Sequence, residues 1–140
     1  MIQSAYRIMA RKPPNPIAAD LIAQLDRKLA PLGHIATRRM FSGYAAYLDG
    51  TVFALILRGK LWLRVDDKTR PDFVKAGMQP FAYTQTKSGK VIAVESYYQC
   101  PDLVLADAAK LRRWVKEARR ASAERNKKPA RSGQRKASQA

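Results

Sequence analysis

The residues of this chain that could do covalent or metal chemistry are few and poorly placed to work together. It has one cysteine, Cys100, and one histidine, His34. A structural zinc site takes about four Cys or His ligands, and a thiol or hydroxyl nucleophile needs a base beside it. Cys100 precedes Pro101 at a strand-to-helix junction and reads as a buried thiol. His34 follows Gly33 just after the first helical segment and reads as a loop residue facing solvent or a cation at a helix end. Nine acidic residues precede Lys110, and Asp49, Asp66, Asp67, Asp102 and Asp107 fall at turns and helix starts, where capping accounts for them. Glu95 alone sits in an apolar strand-like setting, and one carboxylate is not an acid–base pair. The expectation is a protein with no catalytic residue, no metal and no cofactor, which works by binding.

The chemistry that is abundant is positive charge. The 140 residues carry 27 Lys and Arg against 11 Asp and Glu, a formal net charge of +16. The segment 110–140 holds 12 basic and two acidic residues, net +10, and the remainder holds 15 and nine, net +6. From Ala121 onward no large apolar residue occurs, so this stretch cannot bury enough surface to offset chain entropy and is expected to be disordered, or helical only at its start. A basic arm on a folded domain is the electrostatic footprint of a nucleic-acid partner. The candidates for phosphate contact are Arg119, Arg120, Arg125, Lys127, Lys128, Arg131, Arg135 and Lys136, with Arg38, Arg39, Arg58 and Lys60 next on the folded part. The tail has no aromatic residue, so it offers no stacking platform for single-stranded bases. The competing reading is a solvated, solubilising tail.

The elements that must carry these residues can be read from periodicity. Asn15-Pro16 is a cap followed by proline at the first helical position, and Ile17, Leu21, Leu25 and Leu29, with Ile22, give an amphipathic helix ended by Pro31 and Gly33. Residues 35–41 are extended, 44–48 form a strand, Asp49-Gly50 is a two-residue hairpin signal, and 52–57 answer it. A turn at Arg58-Gly59-Lys60 leads into 61–65, where Leu61, Leu63 and Val65 alternate with Trp62 and Arg64. A short helix over 66–76, strands over 81–84 and 91–97, and a last helix from near Asp107 with Leu111, Trp114, Val115 and Ala118 on one face complete the pattern.

These elements predict an α+β domain: one antiparallel, meander-rich sheet of about five to six strands flanked by N- and C-terminal helices. The expected organisation is a disordered extension over 1–14, a folded domain over 15–121 and a disordered basic tail over 122–140. A chain of this length has room for one core, and no apolar run approaches the ~20 residues that span a bilayer. With no signal-peptide pattern at the start, the expected location is the cytoplasm.

The most distinctive stretch is residues 38–50, RRMFSGYAAYLDG. Met40 and Phe41 read as core side chains, and Gly43 as a bulge or a position of positive φ. Tyr44 and Tyr47 fall on opposite sheet faces, and of Arg38 and Arg39 one at most is expected to point outward. Together with VFALILRGKLWLRVDD, RPDFVKAGMQPFAY and a Tyr-Tyr-x-x-Pro before the last helix, this stretch resembles the TfoX N-terminal domain family of TfoX/Sxy-like competence regulators. The resemblance covers residues 17–120. It implies a curved antiparallel sheet flanked by helices, similar to secretion-chaperone-like folds, and a regulator that acts with a transcription-factor partner, the cyclic-AMP receptor protein. The segment Arg39, Met40, Phe41, Gly43 and Tyr44 is the family's motif and a candidate interaction surface. Ser42 and Ala45 stand where the family usually has glycine. Full-length regulators of this kind also carry a C-terminal domain similar to helix-hairpin-helix modules; the expectation is a protein without it, whose basic tail substitutes as a DNA or RNA contact.

Two functions remain in view. One is a non-enzymatic regulatory module that contacts DNA or RNA through its basic tail. The other is a protein-interaction or dimerisation domain with no nucleic-acid role. The exposed edge strand of the meander and aromatic residues such as Trp62, Tyr97 and Tyr98 have no evident cover in the sequence pattern, which leads to the expectation of a homodimer through sheet or helix edges.

Overall fold

The computed structural model describes residues 16–40 and 42–127. Its first helix, α1, runs over Pro16–Lys28, with Ala18, Leu21 and Leu25 buried and Leu29 continuing the stripe just beyond its end. Ile17, expected in that stripe, is 60% exposed. Its place is taken by Ala18, because a stripe running back from Leu25 and Leu21 in steps of three and four reaches position 18. A 3-10 turn at Ala30–Leu32 and Gly33 turn the chain into the sheet.

Six strands follow: β1 Ile35–Met40, β2 Gly43–Leu48, β3 Thr51–Leu57, β4 Lys60–Arg64, β5 Pro80–Thr84 and β6 Val91–Gln99. Between β4 and β5 lies α2, Arg70–Lys75. After β6 come α3, Asp102–Ala106, and α4, Ala108–Lys127. The strands form one sheet in the order β1-β2-β3-β4-β6-β5, every neighbouring pair antiparallel. The expected α+β architecture is therefore the observed one. The sequence of strands departs from a plain meander at one point, where β6 lies beside β4 and leaves β5 at the edge.

The hairpin turns follow from residue type. Asp49 and Gly50 both have positive φ, 51° and 86°, which suits the right-handed strand twist. Arg58 and Gly59 repeat this at 55° and 74°. Arginine tolerates such a conformation less well than glycine. Here the Arg58 guanidinium is anchored, donating to the Ala82 carbonyl at 2.7 Å and lying 5.0 Å from the centre of the Phe81 ring.

Two bends shape the sheet. Ala46 pairs with Ala54 and Tyr47 with Val52, so Phe53 is an extra residue in β3, and both Phe53 and Ala54 enter the helix-side core. In β6, Phe81 pairs with Val94 while Pro80 pairs with Tyr98, so the strand is broken in register between its two halves. Residues 91–94 pair with β5, and residues 97–99 pair with β4. The β5–β6 hairpin thereby packs on the sheet face that carries no helix.

The result is two apolar clusters. The larger lies between the sheet and the helices and includes Leu25, Leu29, Phe53, Leu63, Leu111 and Val115. The smaller, on the other face, gathers Ala45, Leu55, Leu57, Trp62, Phe81 and Tyr97, with Trp62 and Phe81 edge to face at 5.3 Å. Trp62, Tyr97 and Tyr98 are thus all buried within the chain. Of the two grounds for expecting a homodimer, the lack of cover over these aromatic residues falls away, because the register break in β6 was not visible in the alternation of the sequence, while the edge strand β1 remains.

The last helix continues to Lys127, and Ser122 is only 2% exposed. Small residues Ala118, Ala121 and Ser122 are buried along it without any large apolar side chain, so the start of the expected tail is helical. The expected disordered segments 1–14 and 128–140 lie outside the described residues.

Candidate nucleic-acid interface

Helix α4 starts on a well-formed cap. The Asp107 carboxylate accepts from the Lys110 backbone N–H at 3.1 Å, and this and the Ala109 N–H hold its pKa below the ordinary value. Twenty residues at 1.5 Å each make a helix of about 30 Å. One side is closed against the core by Leu111, Val115, Ala118 and Ala121. The rest carries eight basic residues and two acidic ones.

These basic residues divide into two groups. The first holds the fold. Arg112 donates to the Lys28 carbonyl at 3.0 Å, while Lys28 donates to the Leu105 carbonyl at 2.6 Å, so the end of α1, α3 and α4 are stitched together. Arg119 approaches Asp49 at 3.4 Å. Arg120 meets three carboxylates, Asp66 at 3.1 Å, Glu117 at 2.9 Å and Glu124 at 3.1 Å. Its pKa is raised further, first by the Asp66 hydrogen bond.

The second group is uncommitted. Lys110, Arg113, Lys116 and Arg125 are exposed and make no side-chain hydrogen bond or ion pair among the described residues. Lys110, Arg113 and Lys116 recur every third residue, so they lie within about 120° of arc on the solvent side over two turns. Of the residues expected to contact phosphate, Arg119 and Arg120 are engaged inside the domain and Arg125 is exposed at the helix end. Lys127 ends the helix, and Lys128, Arg131, Arg135 and Lys136 lie outside the described residues. Lys110, Arg113 and Lys116 were not among the candidates because the sequence shows only that they flank an apolar stripe. That they form no salt bridge becomes evident once Glu117 and Glu124 have been assigned to Arg120 and Asp107 to the cap, its charge acting on Lys110 and Arg113 only at longer range.

The motif at residues 38–50 is arranged differently from expectation. Arg38 and Arg39 are both exposed, because β1 is an edge strand beyond the reach of the helices. Arg38 lies 5.7 Å from the centre of the Tyr47 ring and Arg39 lies 5.8 Å from that of Tyr44. Tyr44 packs on the helix-side cluster and Tyr47 on the other, so the two tyrosines do fall on opposite faces. Met40 is 40% exposed rather than in the core, since it ends the edge strand, and Phe41 lies outside the described residues. Gly43 has neither the positive φ nor the bulge expected of it. Glycine is required there because a Cβ would sit 2.0 Å from the Ile56 carbonyl oxygen and 2.6 Å from Leu57 Cδ2. Lys60 is exposed at the start of β4, whereas Arg58 is bound to Ala82 and Phe81.

His34 is exposed, and Cys100 is buried with its thiol pushed up to about 12, first by burial and then by the charge of Asp102, with Lys28 opposing. Among the described residues no three His, Cys, Asp or Glu side chains come together as a metal site. No described helix is long and apolar enough to cross a membrane.

Two comparisons with known proteins bear on the chain. A family model described as the TfoX N-terminal domain matches residues 27–122. Protein Sxy of Escherichia coli (strain K12) is 33% identical over 88 residues, which are 63% of this chain and 41% of Sxy. The chain thus spans about two fifths of the length of that curated relative. The matched region runs from the end of α1 into the second half of α4, so it takes in the whole sheet and all but the tip of the basic helix.

Proposed function

The chain belongs to the TfoX N-terminal domain family of competence-regulator-like proteins, and from this premise we propose that it is a non-enzymatic regulatory module that acts by binding nucleic acid. Contact is made by the outer face of α4, through Lys110, Arg113, Lys116 and Arg125, and by the basic residues that follow. One observation carries this reading: these four cations form no salt bridge or side-chain hydrogen bond among the described residues, the Asp107 charge reaching Lys110 and Arg113 only at longer range, while their neighbours Arg112, Arg119 and Arg120 are all bound within the domain. An unpaired cation on a rigid helix can displace condensed counterions from a phosphate backbone without first breaking an ion pair. The contacts would be to phosphates, so they position the protein without reading sequence. Sequence selection would fall to a transcription-factor partner, and the cytoplasm is where such a regulator would act.

The test is a gel shift with random-sequence duplex DNA, comparing the whole chain, a chain ending at Lys127 and a whole chain carrying Lys110→Gln, Arg113→Gln and Lys116→Gln. The reading expects the whole chain to bind most tightly and both variants to lose affinity. Equal binding by all three contradicts it.

A second reading has its own support. Strand β1 is an open sheet edge with Arg38, Arg39 and Met40 exposed. Such an edge can accept a strand from another protein or a second copy of this chain. Sedimentation as a monomer near 15.7 kDa would remove the homodimer form of this alternative.

A further inference from the structure

Between α2 and α4 lies a cleft of about 300 Å³. Its aromatic wall is made by Phe73 and Trp114, whose rings meet edge to face at 4.7 Å. Phe73 is held in place from behind by Tyr98 at 6.0 Å and is buried, while Trp114 is half-buried. Trp114, expected on the apolar face of its helix, packs against the core there and keeps part of its surface open. Arg64, Arg113 and Lys116 line the same cleft, opposed by Asp72 and by Glu117, whose carboxylate already accepts from Arg120 at 2.9 Å. The Arg64 guanidinium lies 5.3 Å from the centre of the Tyr97 ring, so Arg113 and Lys116 are the cations whose charge faces the cleft. With Glu117 engaged by Arg120, Asp72 is the one acid there without an ion pair among the described residues. The Arg64 Nε–H is buried without an acceptor among the described residues, and such a donor is costly to leave unmade.

A planar ring suits the aromatic wall, and an anionic group with several acceptor oxygens suits the cations. The volume lies at the small end of ligand-binding cavities and excludes large ligands. We infer that the cleft binds a nucleotide, with the base against Trp114 and Phe73 and the phosphate at Arg113 and Lys116. That nucleotide is either a free nucleoside monophosphate or an unpaired residue of a single strand. The cleft shares Arg113 and Lys116 with the face proposed to contact nucleic acid, and to that extent the inference rests on that reading. It differs in requiring the aromatic wall, which a duplex backbone does not use.

The two indole N–H groups of the chain provide the test. In proton–nitrogen correlation spectra of the whole chain, Trp62 is an internal control because its indole donates to the Leu57 carbonyl at 3.1 Å in the opposite cluster. Titration with adenosine monophosphate should shift the Trp114 indole peak and leave that of Trp62 in place. The expected dissociation constant is roughly 0.1–1 mM, the range of a small and partly open site. Adenosine alone and inorganic phosphate alone should each bind at least tenfold more weakly, since each lacks one half of the recognition.

Replacing Arg113 and Lys116 by Gln should weaken monophosphate binding roughly tenfold or more. A short oligothymidylate distinguishes the sources. Binding tighter than that of thymidine monophosphate on the same Trp114 peak assigns the cleft to a single strand, and weaker binding assigns it to the free nucleotide. No movement of Trp114 with either probe overturns the inference, as does binding unchanged in the Arg113→Gln, Lys116→Gln variant. Duplex binding measured on the same sample keeps the two readings separate: duplex retention with a silent Trp114 overturns the cleft alone.

Discussion

Arg120 donates to Asp66 across 3.1 Å, and this contact fixes the second half of α4 to the loop that follows β4. The two side chains are 28% and 27% exposed, so solvent screens the pair only in part. Asp66 also accepts from the backbone N–H groups of Lys68 and Thr69, at 3.0 and 3.1 Å, while its own N–H donates to the Thr69 hydroxyl. One carboxylate thus orders both the approach to α2 and the packing of α4.

Removing Arg120 should therefore lower stability, and removing Arg113 should not. Arg120→Ala leaves three carboxylates facing one another, Asp66 among them partly buried, and is expected to cost about 1–3 kcal/mol in urea unfolding. Arg113→Ala should change stability by less than about 0.5 kcal/mol. For duplex binding the order should reverse once Arg120→Ala is assayed at a temperature where it remains folded. A larger stability loss for Arg113→Ala than for Arg120→Ala would contradict the division of the helix into holding and contacting cations.

Acid should act through Asp66. Burial raises its pKa, but the Arg120 hydrogen bond, the Thr69 N–H, the Arg120 charge and the Lys68 N–H lower it and outweigh burial. A depressed folded-state value means that the contribution is fully present at neutral pH and is lost as pH falls from about 4 through the folded value. Unfolding midpoints measured from pH 7 downward should drop more steeply for the wild type than for Asp66→Asn. Parallel profiles would show that Asp66 does not carry the effect.

Gly43→Ala should destabilise the domain by about 2 kcal/mol or more, because its Cβ would collide with backbone at the Ile56 carbonyl and not only with a movable side chain. Gly50→Ala is the comparison, having positive φ but no neighbour within 4 Å of the new Cβ, and should cost about 1 kcal/mol. Thermal melts should rank the two in that order. The reverse order would mean that β2 and β3 can separate at little cost.

Cys100, with its thiol raised to about 12 and its side chain buried, should be silent to a disulfide reagent at pH 8 in the native protein. Labelling is expected to run at least ~100-fold slower than in denaturant, at the pace of opening rather than of thiol chemistry. Rapid stoichiometric labelling of native protein would contradict that burial.

Much of the fold was legible because it is written in local signals. Asp49-Gly50 and Arg58-Gly59 name their turns, and Leu21, Leu25 and Leu29 name the buried side of α1. The cover of Trp62 and Tyr97 was not legible, since it depends on a break in the pairing of β6 that joins residues far apart in sequence. Short α3 was missed for a related reason: Asp102–Ala106 is a single turn or so, too brief for periodicity to register. How far α4 extends was not legible because Ala118, Ala121 and Ser122 bury little area each, and only the assembled core shows them buried. The candidate interface was legible as a charge excess but not residue by residue. Which cation is free depends on where Asp49, Asp66, Glu117 and Glu124 lie in space.

The most direct measurement of the central claim is the salt dependence of duplex binding by the whole chain. Four free cations on α4, together with part of the basic segment beyond Lys127, should neutralise roughly five to eight phosphates, giving a slope of log affinity against log salt of about −4 to −7. Replacing Lys110, Arg113 and Lys116 by Gln should make the slope shallower by about 2–3, and ending the chain at Lys127 should remove most of what is left. A slope near zero for the whole chain, or one unchanged by the triple replacement, would contradict the assignment of α4 as a nucleic-acid contact.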